Sequence, residues 1–308
     1  MDESAIQPPA LLPGEPPSEP PSEAARQEPP APPTAAWSPW TAPAALVSGI
    51  LLAAVGGLLV DIPALALGVK VSASHVPPGL EIVDTVVQDG AFVLAAVFFA
   101  QLGGRTVAAS QFGLRPTPGW RATRLVVLTL VGFLLFSLVW SAIVHAPKEK
   151  LLEQLGAGES TLLLLLSAAL TCVVAPICEE FLFRGFIFTA LRNWRGVWPA
   201  AAISGLLFGA VHAGSAPAVD LVPLAALGFG LCLLYRVTGS LYPCIAAHSL
   251  NNSLAFGSLE GWGWQIPVLM GAALVLIGLL ALALMRAGVI SSERPLVAAD
   301  ALAIPPGG

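Results

Sequence analysis

Eight apolar stretches recur along this chain, each close to the ~20 residues that carry a helix across a bilayer. They fall near residues 43–67, 83–102, 123–145, 161–192, 197–213, 219–236, 240–257 and 265–286. Helix breakers separate them: Pro77-Pro78-Gly79, the run Arg115 to Gly119, Gly156-Ala157-Gly158, Arg195-Gly196 and Thr238-Gly239. With 56% hydrophobic and only 11% charged residues, a soluble domain has no interior large enough to hide this surface. The expected fold is all-α: a polytopic membrane protein of about eight transmembrane helices. The fourth stretch is too long for one simple span, and Pro176 is expected to kink it.

Residues 1–40 read as a Pro-rich acidic tail, 41–290 as the helical domain and 291–308 as a C-terminal tail. Residues 1–36 are rich in Pro, Glu, Ser and Ala, with Arg26 as the single basic residue. Such a segment buries too little apolar area to offset its ordering entropy, so disorder is expected. The apolar runs begin after this polar stretch, so no cleavable signal peptide is expected. The net charge of −5 says little about partners, because the tail holds a third of the acids. Nothing points to nucleic acid; the partners expected are membrane lipid and a membrane-associated protein or peptide. Cys172, Cys178, Cys232 and Cys244 all lie in apolar stretches and read as small hydrophobes rather than disulfide halves.

Basic residues favour cytoplasmic loops. With the N-terminus inside, Arg105, Arg115, Arg121, Arg124, Arg192, Arg195, Arg236, Arg286 and Arg294 fall at cytoplasmic ends. Lys70, Lys148 and Lys150 fall outside. Both termini are therefore expected in the cytoplasm of a multi-pass cell-membrane protein.

Glu179 and Glu180 stand against this apolar background. An acid at the centre of a membrane helix costs about 2.5–3.5 kcal/mol on insertion scales, and its default reading is functional. Arg184 lies four residues after Glu180, on the same helix face, and can pair with it. His212 ends the next stretch, after Phe208. Gly196 is midway in sequence between Glu180 and His212, so a hairpin turning there brings them level, about 20 Å from the turn by helical rise. His248 and Asn252, four apart, share one face of the seventh stretch. Small residues (Gly205, Gly209, Ala210, Ala246, Ala247 and Ser249) allow close helix packing around them. A carboxylate with imidazoles in a low-dielectric pocket can activate a water, directly or through a metal. Asn252 or a protonated His can steady an oxyanion. Glu179, His212 and His248 form a possible donor set for a divalent metal such as zinc. The spacing itself leaves both chemistries open, together with plain interhelical pairing.

Taken in order, Glu179-Glu180-x-x-x-Arg184, Phe208-x-x-x-His212 and His248-x-x-x-Asn252 resemble the motifs of the CPBP family of intramembrane proteases. That family includes type II CAAX prenyl endopeptidases and bacteriocin-immunity relatives. Gln111 to Arg115 resembles a segment upstream of the motifs in bacterial members. The resemblance covers about residues 83–260. It implies an endopeptidase in which Glu179 activates water with His212. His248 and Asn252 would steady the oxyanion, and Arg184 would hold Glu180; Phe208 is a supporting residue. It leaves metal-assisted and metal-free routes both open. The competing classes are a transporter or ion relay, and a non-hydrolytic immunity or binding protein.

Other polar residues read as structural. Asp61 reads as an interfacial cap, Asp84 and Asp89 as acids at the start of the second helix, and Asp220 as the same for the sixth. His75 and His145 read as solvated. Trp37, Trp40, Trp120, Trp194, Trp198, Trp262 and Trp264 read as an interfacial belt. From the basic-residue bias, a reporter fused after Gly308 should read cytoplasmic; an external signal there would overturn the eight-span orientation.

Overall fold

The computed structural model describes residues 35, 37–70, 76–104, 106–144, 156 and 160–290. The expected tails over 1–34 and 291–308, His75, Arg105, His145, Lys148 and Lys150 lie outside the described residues. The chain divides into Met1–Pro32, wholly outside the described residues, and Pro33–Gly308, which holds every element below.

The elements are α1 (Thr41–Ala66), α2 (Pro78–Ala100), α3 (Gly119–Ile143), α4 (Thr161–Arg195), α5 (Val197–Val211), α6 (Leu221–Thr238), α7 (Leu241–Leu259) and α8 (Gln265–Arg286). Short 3-10 turns, Ala109–Phe112 and Ala218–Asp220, precede α3 and α6. Among the described residues there is no strand. The breakers act where chemistry requires. Pro78 occupies the first turn of α2, where its missing N–H has no helical partner to lose. That start is earlier than the expected residue 83, and it moves Asp89 from the first turns to mid-helix. Gly196, with φ 77°, makes the turn between α4 and α5 in a backbone region that favours glycine.

Six helices are long and apolar enough to cross a membrane: α1, α2, α3, α4, the run Ala218–Thr238 and α8. The other two of the eight expected spans differ for a physical reason. The α5 helix has only 15 residues. The α7 helix has 19, but its middle carries His248, Ser249, Asn251, Asn252 and Ser253. It packs against α3, α4, α6 and α8, so it meets protein rather than a purely apolar surrounding. By contrast α1, α3 and α8 leave most of their leucines and valines exposed, as lipid-facing helices do.

The α5 and α6 helices approach closely, backbone against backbone. A Cβ on Gly209 would fall 2.5 Å from the Leu221 carbonyl oxygen, and one on Gly205 2.8 Å from that of Ala225. Only small residues permit such contact. At the shared end of α4, α6 and the segment before α3, Arg192 lies within electrostatic reach of Arg115 and Arg236. These are three of the arginines that sequence assigns to the cytoplasmic side.

Trp37 departs from the interfacial belt. It is only 5% exposed, with its ring centroid 4.9 Å from Phe112 and 4.8 Å from Phe186. Beside it the Asn193 amide donates to the Ala35 carbonyl. A tryptophan so enclosed gains more from packing than from the interface. Trp37→Ala should cost about 3–5 kcal/mol, read as thermal unfolding in detergent, whereas Trp120→Ala, at an exposed position, should change little.

Candidate functional site

The site begins with a proline. Pro176 has no N–H to donate, so the carbonyls four and five residues earlier, Cys172 and Thr171, lack a helical donor there. The α4 helix widens into a π-turn over Leu170–Val174 just before it and another over Phe181–Phe188 just after. The kink expected at Pro176 is thus expressed as wide turns, a form common at functional sites. Two side chains from α7 take up the carbonyls. The Ser249 hydroxyl donates to Cys172 O at 2.6 Å, and the Asn252 amide donates to Thr171 O at 2.9 Å. These bonds fix the register of α7 against α4, and His248 directly precedes Ser249 in sequence.

Glu180 and Arg184 are fully buried and paired at 2.8 Å. The same carboxylate oxygen, Glu180 Oε1, accepts a second hydrogen bond from His248 Nδ1 at 2.8 Å. Arg184 also donates to the Gly228 carbonyl on α6 at 2.9 Å, and its guanidinium lies 4.5 Å from the Phe208 ring. Sequence spacing predicted the Glu180–Arg184 pair. It missed the Glu180–His248 bond, because the two residues lie on helices whose register depends on packing. Phe208, fully buried, also meets the His248 ring edge-on at 5.5 Å and the His212 ring at 5.0 Å.

With Nδ1 held by Glu180, His248 turns Nε2 to Glu179. The separation from Glu179 Oε2 is 3.9 Å, too long for a direct hydrogen bond and suited to a bridging water. The Glu179 side chain is 13% exposed, yet Oε2 is buried without a hydrogen-bond partner among the described residues. The neighbouring acid is Asp89, 1% exposed, with neither carboxyl oxygen hydrogen-bonded among the described residues. Its reading as a helix-start acid is therefore corrected: the earlier start at Pro78 puts it against α4. A proline pair before the apolar run was the signal that could have found it.

His212 caps α5, and its Nδ1 lies 2.7 Å from the Phe208 carbonyl of its own helix. Donation there leaves Nε2 as an acceptor. Asn252 uses one amide N–H on Thr171 and has a second. The structure therefore joins Glu179, Glu180, Arg184, His248 and Phe208 in one contact set. His212 joins it through Phe208, and Asn252 is tied to the same helix through Thr171.

Three nitrogen and oxygen atoms have the chemistry of metal donors: Glu179 Oε2, His212 Nε2 and His248 Nε2. Among the described residues, however, no group of three His, Cys, Asp or Glu side chains is gathered closely enough to hold a metal ion. The expected donor trio does not form a ligand set in this geometry. All four cysteines are free thiols, as expected.

The family model described as type II CAAX prenyl endopeptidase Rce1-like matches residues 161–254, the segment from α4 into α7 that holds every residue of the contact set. Over 81 residues the chain is 37% identical to YdiL of Bacillus subtilis (strain 168), which carries the name of a membrane peptidase. That match covers 26% of this chain and 32% of YdiL. An uncharacterized protein of Mycoplasma capricolum is 31% identical over 87 residues, covering 28% of this chain and 25% of the relative. The chain spans about a third or less of the length of these curated relatives. No solved structure matches.

Because Arg184 is the sole cation bonded to Glu180 apart from His248 among the described residues, Arg184→Ala should lower stability by about 3–5 kcal/mol, the usual cost of stranding one member of a buried pair. Denaturation of the purified protein in detergent measures it.

Proposed function

We propose that the chain is an intramembrane endopeptidase of the CPBP family, a reading supported by the match of residues 161–254 to the Rce1-like family model. Its substrate is a peptide bond of a membrane-associated or lipidated protein or peptide, cut near the cytoplasmic face by water activated at Glu179. The observation that carries this reading is the facing pair Glu179 Oε2 and His248 Nε2, 3.9 Å apart. The far nitrogen of that imidazole is held by a carboxylate which Arg184 holds in turn. This is the orientation logic of a reacting group backed by a second and a third.

Water bound between the two gives its proton to Glu179 as its oxygen attacks the scissile carbonyl carbon. Negative charge moves to the carbonyl oxygen. Protonated His248 donates from Nε2, and the second N–H of Asn252 adds a further donor. His212, with Nδ1 engaged at Phe208 O, offers Nε2 as an acceptor that assists Glu179. The proton taken from water then passes to the leaving amine as the C–N bond breaks, restoring the carboxylate. The buried surroundings of Glu180, Arg184 and Phe208 keep these electrostatic interactions strong. No step is routed through a metal, because the three donors are not gathered. Metal analysis of the purified protein checks that route: stoichiometric zinc retained through chelation and lost in His212→Ala would overturn it.

Glu179→Gln keeps shape and removes the base. In membranes carrying equal amounts of inserted protein, its turnover should fall by about 10²–10⁴-fold. Comparative peptidomics of the membrane fraction reads the result: uncut precursors should accumulate with Glu179→Gln. Identical peptide profiles would remove the protease reading.

A further inference from the structure

Between α3, α7 and α8 runs an apolar groove of about 550 Å³ that the chemistry above does not use. Ala246 and Leu250 of α7 line it. Each lies two residues from His248, which on a helix is about 200° away, on the opposite face. The α7 helix itself therefore separates the groove from Glu179. On α8 the wall runs from Leu274 to Met285, about 16 Å at the helical rise per residue. That is about half of the ~30 Å hydrocarbon core, the depth of one leaflet. The same wall includes Gly278, where an added Cβ would meet no heavy atom within 4 Å.

Polar groups gather at one end of this groove. Pro116 lines it next to Arg115, and Met285 lines it next to Arg286. Arg115 Nε donates to the Gly239 carbonyl. Neither arginine has an ion pair among the described residues. Arg192 and Arg236 stand at the same end. The Tyr235 ring, beside Arg236, lies 6.1 Å from that of Phe188, over which the Arg192 guanidinium sits at 5.8 Å. Asp61, Glu81, Asp84, Asp220 and Glu260 all belong to the opposite helix ends. This end is thus a field of cations with no counter-anion among the described residues. Tyr242 lines the groove two residues after Ser240, whose hydroxyl donates to the Arg115 carbonyl. The Tyr242 hydroxyl oxygen is buried with no hydrogen-bond partner among the described residues, whereas a buried tyrosine hydroxyl usually has one. Along the groove the order is cations, one spare hydroxyl donor, then an apolar wall of single-leaflet depth.

We propose that this groove binds one anionic phospholipid from the leaflet on which the arginines lie. An acyl chain fills the space between α3, α7 and α8. The Tyr242 hydroxyl donates to an ester oxygen of the glycerol backbone, and Arg115 and Arg286 at the mouth hold the phosphate. Basic pockets between membrane helices take anionic head groups in this way. A zwitterionic lipid offers the same chain and ester, but its own cation competes for the phosphate. The bound lipid braces α7 on the face opposite His248. This site is independent of the protease reading.

Native mass spectrometry of the full chain tests this, with the protein purified in detergent and offered phosphatidylglycerol and phosphatidylcholine of matched chains. One phosphatidylglycerol should be retained per protein in preference to phosphatidylcholine, and it should raise the unfolding temperature saturably. Arg286→Gln should weaken that preference by roughly 5-fold, the effect of one basic residue near an anionic surface. Arg121 lies at the same end but two residues from both Gly119 and Thr123, which line the groove, and so on the opposite face of α3. Arg121→Gln should leave the preference unchanged; an equal loss in both variants would mean diffuse attraction and overturn the proposal. Tyr242→Phe should lower retention of both lipids by roughly 2- to 10-fold, as for one net hydrogen bond. Gly278→Leu fills open space, so the protein should still fold and retain neither lipid. Undiminished retention in Gly278→Leu, or no preference for phosphatidylglycerol in the wild type, would overturn the site. Inorganic phosphate alone should give no thermal shift; a shift equal to that of the lipid would assign the arginines to a free anion instead. A wild-type dimer that Gly278→Leu disperses would give the groove to a second copy of the chain, and the lipid site would fall.

Discussion

One carboxylate oxygen, Glu180 Oε1, accepts hydrogen bonds from both Arg184 and His248 with no solvent exposure. Four helices meet through it. Arg184 continues to the Gly228 carbonyl on α6, His248 belongs to α7, and Phe208 of α5 covers both the guanidinium and the imidazole. Buried ion pairs of this kind contribute little net stability, because desolvation offsets their attraction. What they supply is uniqueness: other helix packings strand one of the charges. The same oxygen that secures the bundle also orients the imidazole and aims Nε2 at Glu179. Architecture and chemistry therefore share one interaction, and a change at Glu180 acts on both.

The backbone of α4 is arranged to the same end. Pro176 leaves carbonyls without helical donors, which in a membrane interior is costly unless another group supplies the bond. Ser249 and Asn252 supply it from α7. These contacts hold α7 within a fraction of a turn, and His248 is carried to Glu179 and Glu180 by that register. On the opposite side, the glycine contact between α5 and α6 draws Gly228 close enough for its carbonyl to meet Arg184. The site is thus a product of two close helix contacts, one made by hydrogen bonds and one by missing side chains.

The sequence by itself determined the helices and the types of residue at the site. Apolar length, proline and glycine placement located all eight helices, since these depend on local hydrogen bonding and on hydrophobic extent. The i,i+4 pair of Glu180 and Arg184 was legible because both lie on one helix, and the small residues of α5 announced close packing. Tertiary structure decided the rest: that Glu180 bonds His248, that Asn252 bonds Thr171, that Trp37 is enclosed by Phe112 and Phe186, and that Asp89 lies against α4 instead of capping α2. It also reduced the helices long and apolar enough to span from eight to six, with α7 surrounded by protein. The physical reason is common to all of these. Periodicity states which face of a helix is polar, but the rotation and depth of one helix against another arise only when side chains from several helices satisfy each other at once.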